Sequence, residues 1–590
     1  MSYTPTHARK SRRSILRWWW AVPVALVLVW VAALGWDAIH LRGDAAALRD
    51  HAAAARQAVD DRDIQALATE SAALGKASDS FAGHSSGPQW WIAAHIPWVG
   101  DQVAPLRAAG NAVEGLTADA LDPLSKLKGL EALDTPKFVD GRIDPLILEP
   151  YRPTLETASE AVHRERLALA AVNLDHTVGA VKRPFASLVS DLDSVGAILD
   201  NANSLAQLLP PMLGAEGPRQ YVVIVQNNAE PRATGGIPGA IIMITVDDGR
   251  LALGDYFSAG DLNNKGLTPP TPLRADEANL FSENMGMYAQ NATDTPEFPR
   301  TGELIAAFVE RKTGVRPDGV VSLDPVALGY MLKGAPARDI DGIKVSGNDL
   351  AEVMLSTAYS VFPNPRDQDA FFAKAAGELF GDIVTGGGSA VAGVQQALKE
   401  ARFSVWSDHT AEQSILDGTR AGGDFLIRDN AAGVFLNDGS GSKIGYYIDT
   451  AVTAQVNQCA ASGAITGGTL TVTVTHTYDG KVVDLPWYVS GGGVYVPPGR
   501  FEANVLVYPP QGMGVSSLMA DGKQALMNSV MQGSRLATSA RIGLDPGQKT
   551  TLTYALVPTG GPVAWTDIVV TPGPKHKLYT NPVVKADNPC

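Results

Sequence analysis

Two short apolar runs, YVVIVQ at 221–226 and AIIMITV at 240–246, flank the segment QNNAEPRATGGIPG at 226–239. Asn227 and Asn228 bring amide donors, Arg232 a planar cation that forms paired hydrogen bonds, and Gly235-Gly236 open backbone N–H groups. With Glu230 and Thr234 between them, these residue types suit a phosphate or carboxylate ligand. They serve a second purpose equally well, in which Arg232 pairs with Glu230 or a buried carboxylate and the glycines form a tight turn. Both readings stand on the pattern alone. Elsewhere chemistry is sparse: there is no P-loop, no HExxH, no GxSxG elbow, and the ten histidines and two cysteines show no metal-ligand spacing, so no metal site is expected. Asp261 in SAGDLNN is a candidate catalytic carboxylate or a helix cap, and NATDTPEFPR at 291–300 carries similar loop residues.

The elements that position this segment follow from periodicity. Continuous apolar runs rich in β-branched residues mark strands buried on both faces, and DDGR at 247–250 turns the second run into a third strand, Leu251 to Phe257. Thr301 is expected to cap a helix running to about Lys312. DGVVSLDP at 318–325 reads as a strand followed by a helix with Asp324 as cap and Pro325 at its first position. Helices near 348–359, 366–383 and 389–401 complete a central α/β domain over 218–430. From 441 to 585 the pattern alternates, as in TLTVTVTHTY and KTTLTYALV, and predicts an antiparallel β-sandwich. Residues 37–210 read as a helical stalk or bundle, with a Trp-rich patch, SSGPQWWIAAHIPWVGDQ at 85–102, that suits either core packing or a membrane surface. The fold class is multidomain α+β.

Trp18 to Trp36 is a nineteen-residue stretch without a charge, long enough to cross a hydrocarbon core of about 30 Å, with tryptophans at both ends. Residues 1–17 hold five basic and no acidic residues, which places that tail in the cytoplasm and the bulk of the chain outside the cell membrane. Ala33-Leu34-Gly35 suits a signal peptidase, so a cleaved leader is the competing reading. The net charge of −14 opposes nonspecific adhesion to nucleic acid, which is not expected as a partner. In an oxidising compartment Cys459 and Cys590 are disulfide candidates; two free thiols or an intermolecular bridge are the alternatives.

YVVIVQNNAEPRATGGIPGAIIMITVDDGRLALGDY at 221–256, with NATDTPEFPRTGELIAAF and RPDGVVSLDPVALGYML, resembles the domain-of-unknown-function-4012 (DUF4012) family of actinobacterial membrane proteins. The resemblance covers roughly 210–430 and implies a location in the cell envelope, near polysaccharide, more firmly than an activity. A weaker similarity links the layout to the LytR-CpsA-Psr phosphotransferases, and implies that Arg232 takes the place of their phosphate-binding arginine. This chain departs from that pattern, with Thr234-Gly235-Gly236 in place of Arg-x-Asp-Thr and no Pro-Arg-Asp in LALGDYFSAGD. The leading expectation is a single-pass envelope protein that binds an anionic glycan or polyprenyl-linked precursor through the 227–236 loop. One alternative is a phosphotransferase that uses Asp261 and a divalent metal; the other is a structural or assembly factor.

Overall fold

A computed structural model describes residues 15–60, 64–85, 87–127, 138–263, 266, 268–459, 463–561, 563–575 and 583–588. The chain divides into two compact units, one of residues 1–134 and 147–207, the other of residues 135–146 and 208–590.

The first unit is built from helices. Ile15–Asp60 is one unbroken helix, so the apolar run does not end in a loop at Trp36 but continues into the polar, Ala-rich stretch. Within it, Ala25–Ala55 is long and apolar enough to cross a membrane. The helices Ile64–Ser85, Pro88–Ala94, Val99–Leu116 and Arg152–Ala170 follow. The Trp-rich patch divides: Trp90 enters the core with Leu41, Phe81, Ala93 and Val103, while Trp91 and Trp98 stay exposed.

The second unit contains three β-sheets of functional weight. The strands β1 (Arg219–Asn227), β2 (Ile237–Asp247), β3 (Arg250–Phe257) and β4 (Gly319–Leu323) precede a small hairpin of β5 (Arg338–Ile340) and β6 (Ile343–Val345), and β7 (Phe403–Ser407) follows. The central sheet runs β3-β2-β1-β4-β7, and β1 with β4 is its parallel pair. Asp248 and Gly249 both take positive φ at the β2–β3 turn, which DDGR supplies. Helix Phe298–Thr313 covers the sheet, and Asp324 caps Pro325–Met331 by accepting from the Ala327 N–H, as its Asp-Pro start indicates.

Thr301 is not a cap. The helix begins at Phe298, with Pro299 in its first turn, and the buried Thr301 hydroxyl instead donates to the Ala292 carbonyl at 2.8 Å.

The remaining strands are β8 (Ala431–Asp438), β9 (Ile448–Cys459), β10 (Ile465–His476), β11 (Phe501–Tyr508), β12 (Met513–Ala520), β13 (Lys523–Gln524), β14 (Asn528–Gln532), β15 (Arg535–Leu544), β16 (Lys549–Pro558), β17 (Asp567–Val570) and β18 (Val583–Asn588). They form a six-stranded sheet, β13-β12-β16-β10-β9-β18, and a five-stranded one, β14-β15-β11-β8-β17. Val452, Leu470, Val472, Val505, Tyr554 and Trp565 fill the core between them. The sandwich is antiparallel except at two edges, where β17 runs parallel to β8 and β18 parallel to β9. It begins with β8, earlier than residue 441. A second core joins Val222, Ile224 and Ile241 of the central sheet to Phe435, Leu506 and Tyr508 of the sandwich. Cys459 is disulfide-bonded; Cys590 lies outside the described residues.

Gly302 shows how closely helix and sheet approach: a methyl group on it would lie 2.5 Å from the Trp406 Cβ on β7. Alanine ordinarily stabilises a helix interior by about 0.5–1 kcal/mol over glycine. Here Gly302→Ala should instead destabilise, since overpacking a filled core costs roughly 1–3 kcal/mol. Urea unfolding of the two proteins gives the sign.

Candidate functional site

The parallel pairing of β1 with β4 brings their carboxyl ends together, so residues 226–228 emerge beside Ser322 and Asp324. A register shift between Val225 and Gln226 offsets the β1–β2 ladder, which continues as Gln226 opposite Pro238 and Asn227 opposite Ile237. Gln226 donates to the Ser322 hydroxyl at 2.5 Å and accepts from the Gly236 N–H at 2.7 Å. Asn227 donates to the Tyr359 hydroxyl at 2.5 Å and accepts from the Ala229 N–H at 3.1 Å. Asn228 donates to Asp324 at 3.1 Å and to the Pro572 carbonyl at 3.2 Å. Each amide thus makes hydrogen bonds within the protein, and the buried Asn228 Oδ1 alone among their oxygens has no partner.

Arg232 is only 7% exposed. Its Nε lies 2.8 Å from Asp294, and the rest of its guanidinium donates to Glu230, Asn291 and the Pro231 carbonyl. Glu230 in turn accepts from Lys443, also buried, at 2.7 Å. Asp438 accepts from Ser440 and from the Gly441 N–H. The two glycines serve the turn. The Gly235 N–H donates to the Arg232 carbonyl at 2.9 Å, and a Cβ on Gly236 would lie 2.1 Å from the Asn227 carbonyl oxygen. Thr234 meets the Thr293 carbonyl and the Gln226 amide.

Residues far along the chain complete this arrangement. Ala233 N–H donates to Asn437 on β8 at 2.9 Å, and Asn437 donates to the Asp294 carbonyl at 2.9 Å. Thr571 donates to the Ala233 carbonyl, and Arg402 donates to Asp324 at 2.5 Å and to the Gly573 carbonyl at 2.9 Å. The 227–236 loop thus meets Thr571 and Pro572 just past β17, and Arg402 holds Gly573 beside them. The structure gathers Asn227, Asn228, Glu230, Arg232, Thr234, Gly235 and Gly236 at one place, and directs their polar groups inward.

Residues 216–359 match the family described as Protein of unknown function (DUF4012). This segment is a DUF4012 domain. No curated protein and no solved structure matches the chain. Arg402, Asn437, Asp438, Lys443 and Thr571, which finish the network, all lie outside the DUF4012 match, so this domain does not satisfy its own polar loop. Their single-letter context, such as DGSGSK around Lys443, carries no signal that would have revealed them.

Asp261 stands apart from the network. Its carboxylate accepts from the Ser258 N–H at 2.9 Å and hydroxyl at 2.7 Å, a capping box on Ala259–Leu262. Among the described residues, no three His, Cys, Asp or Glu side chains group as a metal site. A cleft of about 930 Å³ opens beside the DUF4012 loop, reached by Ala233 and Thr234 but not by Arg232. Its walls are about equally polar and apolar, with Lys399, Arg402, Arg420 and Arg428 and the acids Glu400, Asp417, Asp424 and Asp567 among residues such as Phe425, Ile427 and Val570.

Three carboxylates share two cations in the buried cluster, and their proton affinities diverge. Burial pushes Asp294 up to about 7 in spite of Arg232, and burial with repulsion from Glu230 pushes Asp438 up to about 6. Burial opposes ionisation of Glu230 too, yet Lys443 and Arg232 outweigh it and hold that carboxyl below its usual range. The cluster therefore keeps a proton near neutral pH and loses it as pH rises.

Two outcomes follow. Arg232→Met leaves buried carboxylates uncompensated and should cost about 3–5 kcal/mol of stability, measured by urea unfolding. Because Asp294 binds its proton more tightly folded than unfolded, its contribution is full at acid pH and is lost as pH rises through about 7. Melting curves between pH 5 and pH 8 should fall more steeply for the wild type than for Asp294→Asn.

Proposed function

We propose that this protein is a single-pass, membrane-anchored, extracytoplasmic component of the cell envelope whose body, the DUF4012 domain with its sandwich, serves as a structural or assembly module. The observation that carries the reading is the inward engagement of the 227–236 loop, whose one buried side-chain atom without a partner is Asn228 Oδ1: Arg232, the strongest candidate for an anionic ligand, is buried against Asp294 and the part-buried Glu230. A side chain so placed organises its surroundings; reaching a ligand would first require breaking buried ion pairs. Export is supported by the basic tail ahead of the apolar helix and by the disulfide at Cys459, a bond that persists in oxidising compartments. The phosphotransferase reading draws no support from Asp261, whose carboxylate caps a helix.

One observation favours a second reading in a changed form. The cleft beside Thr234 exposes Lys399 and Arg420, so a glycan or lipid-linked anion would bind there and not at Arg232. Titration calorimetry of the full chain with pyrophosphate and with an anionic oligosaccharide separates the two. The assembly reading expects no saturable heat from either. Binding that Arg420→Ala and Lys399→Ala weaken, at unchanged melting temperature, would establish the cleft as a ligand site and displace that reading.

A further inference from the structure

The short helix Pro88–Ala94 lies against the last turns of the apolar run in Ile15–Asp60. The indole N–H of Trp30 donates to the Gln89 carbonyl at 3.0 Å, and Leu34 packs into the cluster that contains Trp90 and Ala93. Trp30 is six residues before Trp36, roughly 9 Å down the helix axis at 1.5 Å per residue. Asp37, the first charge after the run, is buried there and accepts from Gln89 Nε2 at 2.5 Å and from the Trp90 indole at 3.1 Å. The short helix therefore sits at the depth where the apolar run ends.

Its other side is open. Trp90 is 6% exposed, whereas Trp91 is 60% and Trp98 64% exposed, with Ile92 between them. Trp36 and Ile39 of the long helix are exposed as well. From Ser80 to Gly100 there is no Lys, Arg, Asp or Glu. Trp98 holds a left-handed backbone, φ +66°, an unfavourable conformation for a bulky residue, at the start of the next helix. A soluble surface rarely combines exposed tryptophans with a charge-free stretch of this length, while the headgroup region of a bilayer favours both.

We propose that Pro88–Ala94, with Trp91, Ile92 and Trp98, is a second membrane contact: an interfacial helix seated among the lipid headgroups beside the spanning helix. The inference rests on the reading of Ile15–Asp60 as a membrane anchor. The occupant is lipid and not a soluble partner, because the helix is bonded to the apolar run at Trp30, below the level where that run meets water. With no cation in the segment, the contact draws on apolar and indole burial and requires no anionic lipid.

The test uses the full chain in phosphatidylcholine nanodiscs, with Trp91→Cys, Ile92→Cys, Trp98→Cys or Val27→Cys carrying an environment-sensitive fluorophore. Spin-labelled lipids report depth. The expected result is blue-shifted emission at positions 91, 92 and 98, quenched several-fold more by shallow than by deep labels, and unchanged when phosphatidylglycerol replaces part of the phosphatidylcholine. Position 27 should respond chiefly to the deep label. Quenching at 27 with none at 91, 92 and 98, together with their free access to aqueous iodide, overturns the interfacial helix and leaves the anchor intact. Absence of lipid quenching at 27 overturns the anchor and the proposal with it.

Discussion

A guanidinium withdrawn from water has to be matched by charge and hydrogen bonds on every side, and Arg232 imposes that condition on the whole second unit. Its partner Asp294 is buried and Glu230 partly so; Glu230 is further supported by Lys443, whereas the Asp294 carboxylate meets Arg232. The demand spreads outward until it includes the end of β1, the 291–295 loop, β8 and the chain just past β17. The network therefore specifies an arrangement more than it adds net stability, since buried ion pairs often gain little over a well-packed apolar core.

This explains why the central sheet and the sandwich share a core. Asn228 reaches Pro572 across 344 residues of sequence, and Ala233 reaches Asn437 across 204. Contacts at such separations carry a large loop-closure entropy, which the shared burial of Val222, Ile224, Phe435 and Leu506 helps to offset. Asp324 shows the economy of the design. One carboxylate caps Pro325–Met331, accepts from Asn228 and pairs with Arg402, tying helix, loop and C-terminal segment to one residue.

This geometry supports the structural reading of QNNAEPRATGGIPG. Arg, Asn and Gly clustered in a loop at the end of a sheet have the makings of an anion site, and residue type alone does not tell a site from a lock. What distinguishes them is direction. In an anion site the N–H groups converge on open space; here the Gly235 and Gly236 N–H groups converge on Arg232 and Gln226. The cleft that does open alongside is walled by other residues, several of them from 396–430, with no motif to announce them.

Much was legible from the chain itself, because it rests on short-range physics. Continuous apolar β-branched runs gave away β1 and β2, DDGR its turn, Asp324-Pro325 a helix start, and the uncharged stretch from Trp18 to Trp36 an apolar helix. Each depends on residues within a few positions of one another. The start of helix Phe298–Thr313 was misplaced because the Thr301 hydroxyl serves the Ala292 carbonyl, a bond that periodicity does not register. The sequence by itself determined which segments become strands and helices and which residues of the 227–236 loop come together. Only the tertiary structure decided where that loop's polar groups point and which distant residues meet them, because a side chain's partner is set by the free energy of removing both from water, and that depends on what the rest of the fold places beside it.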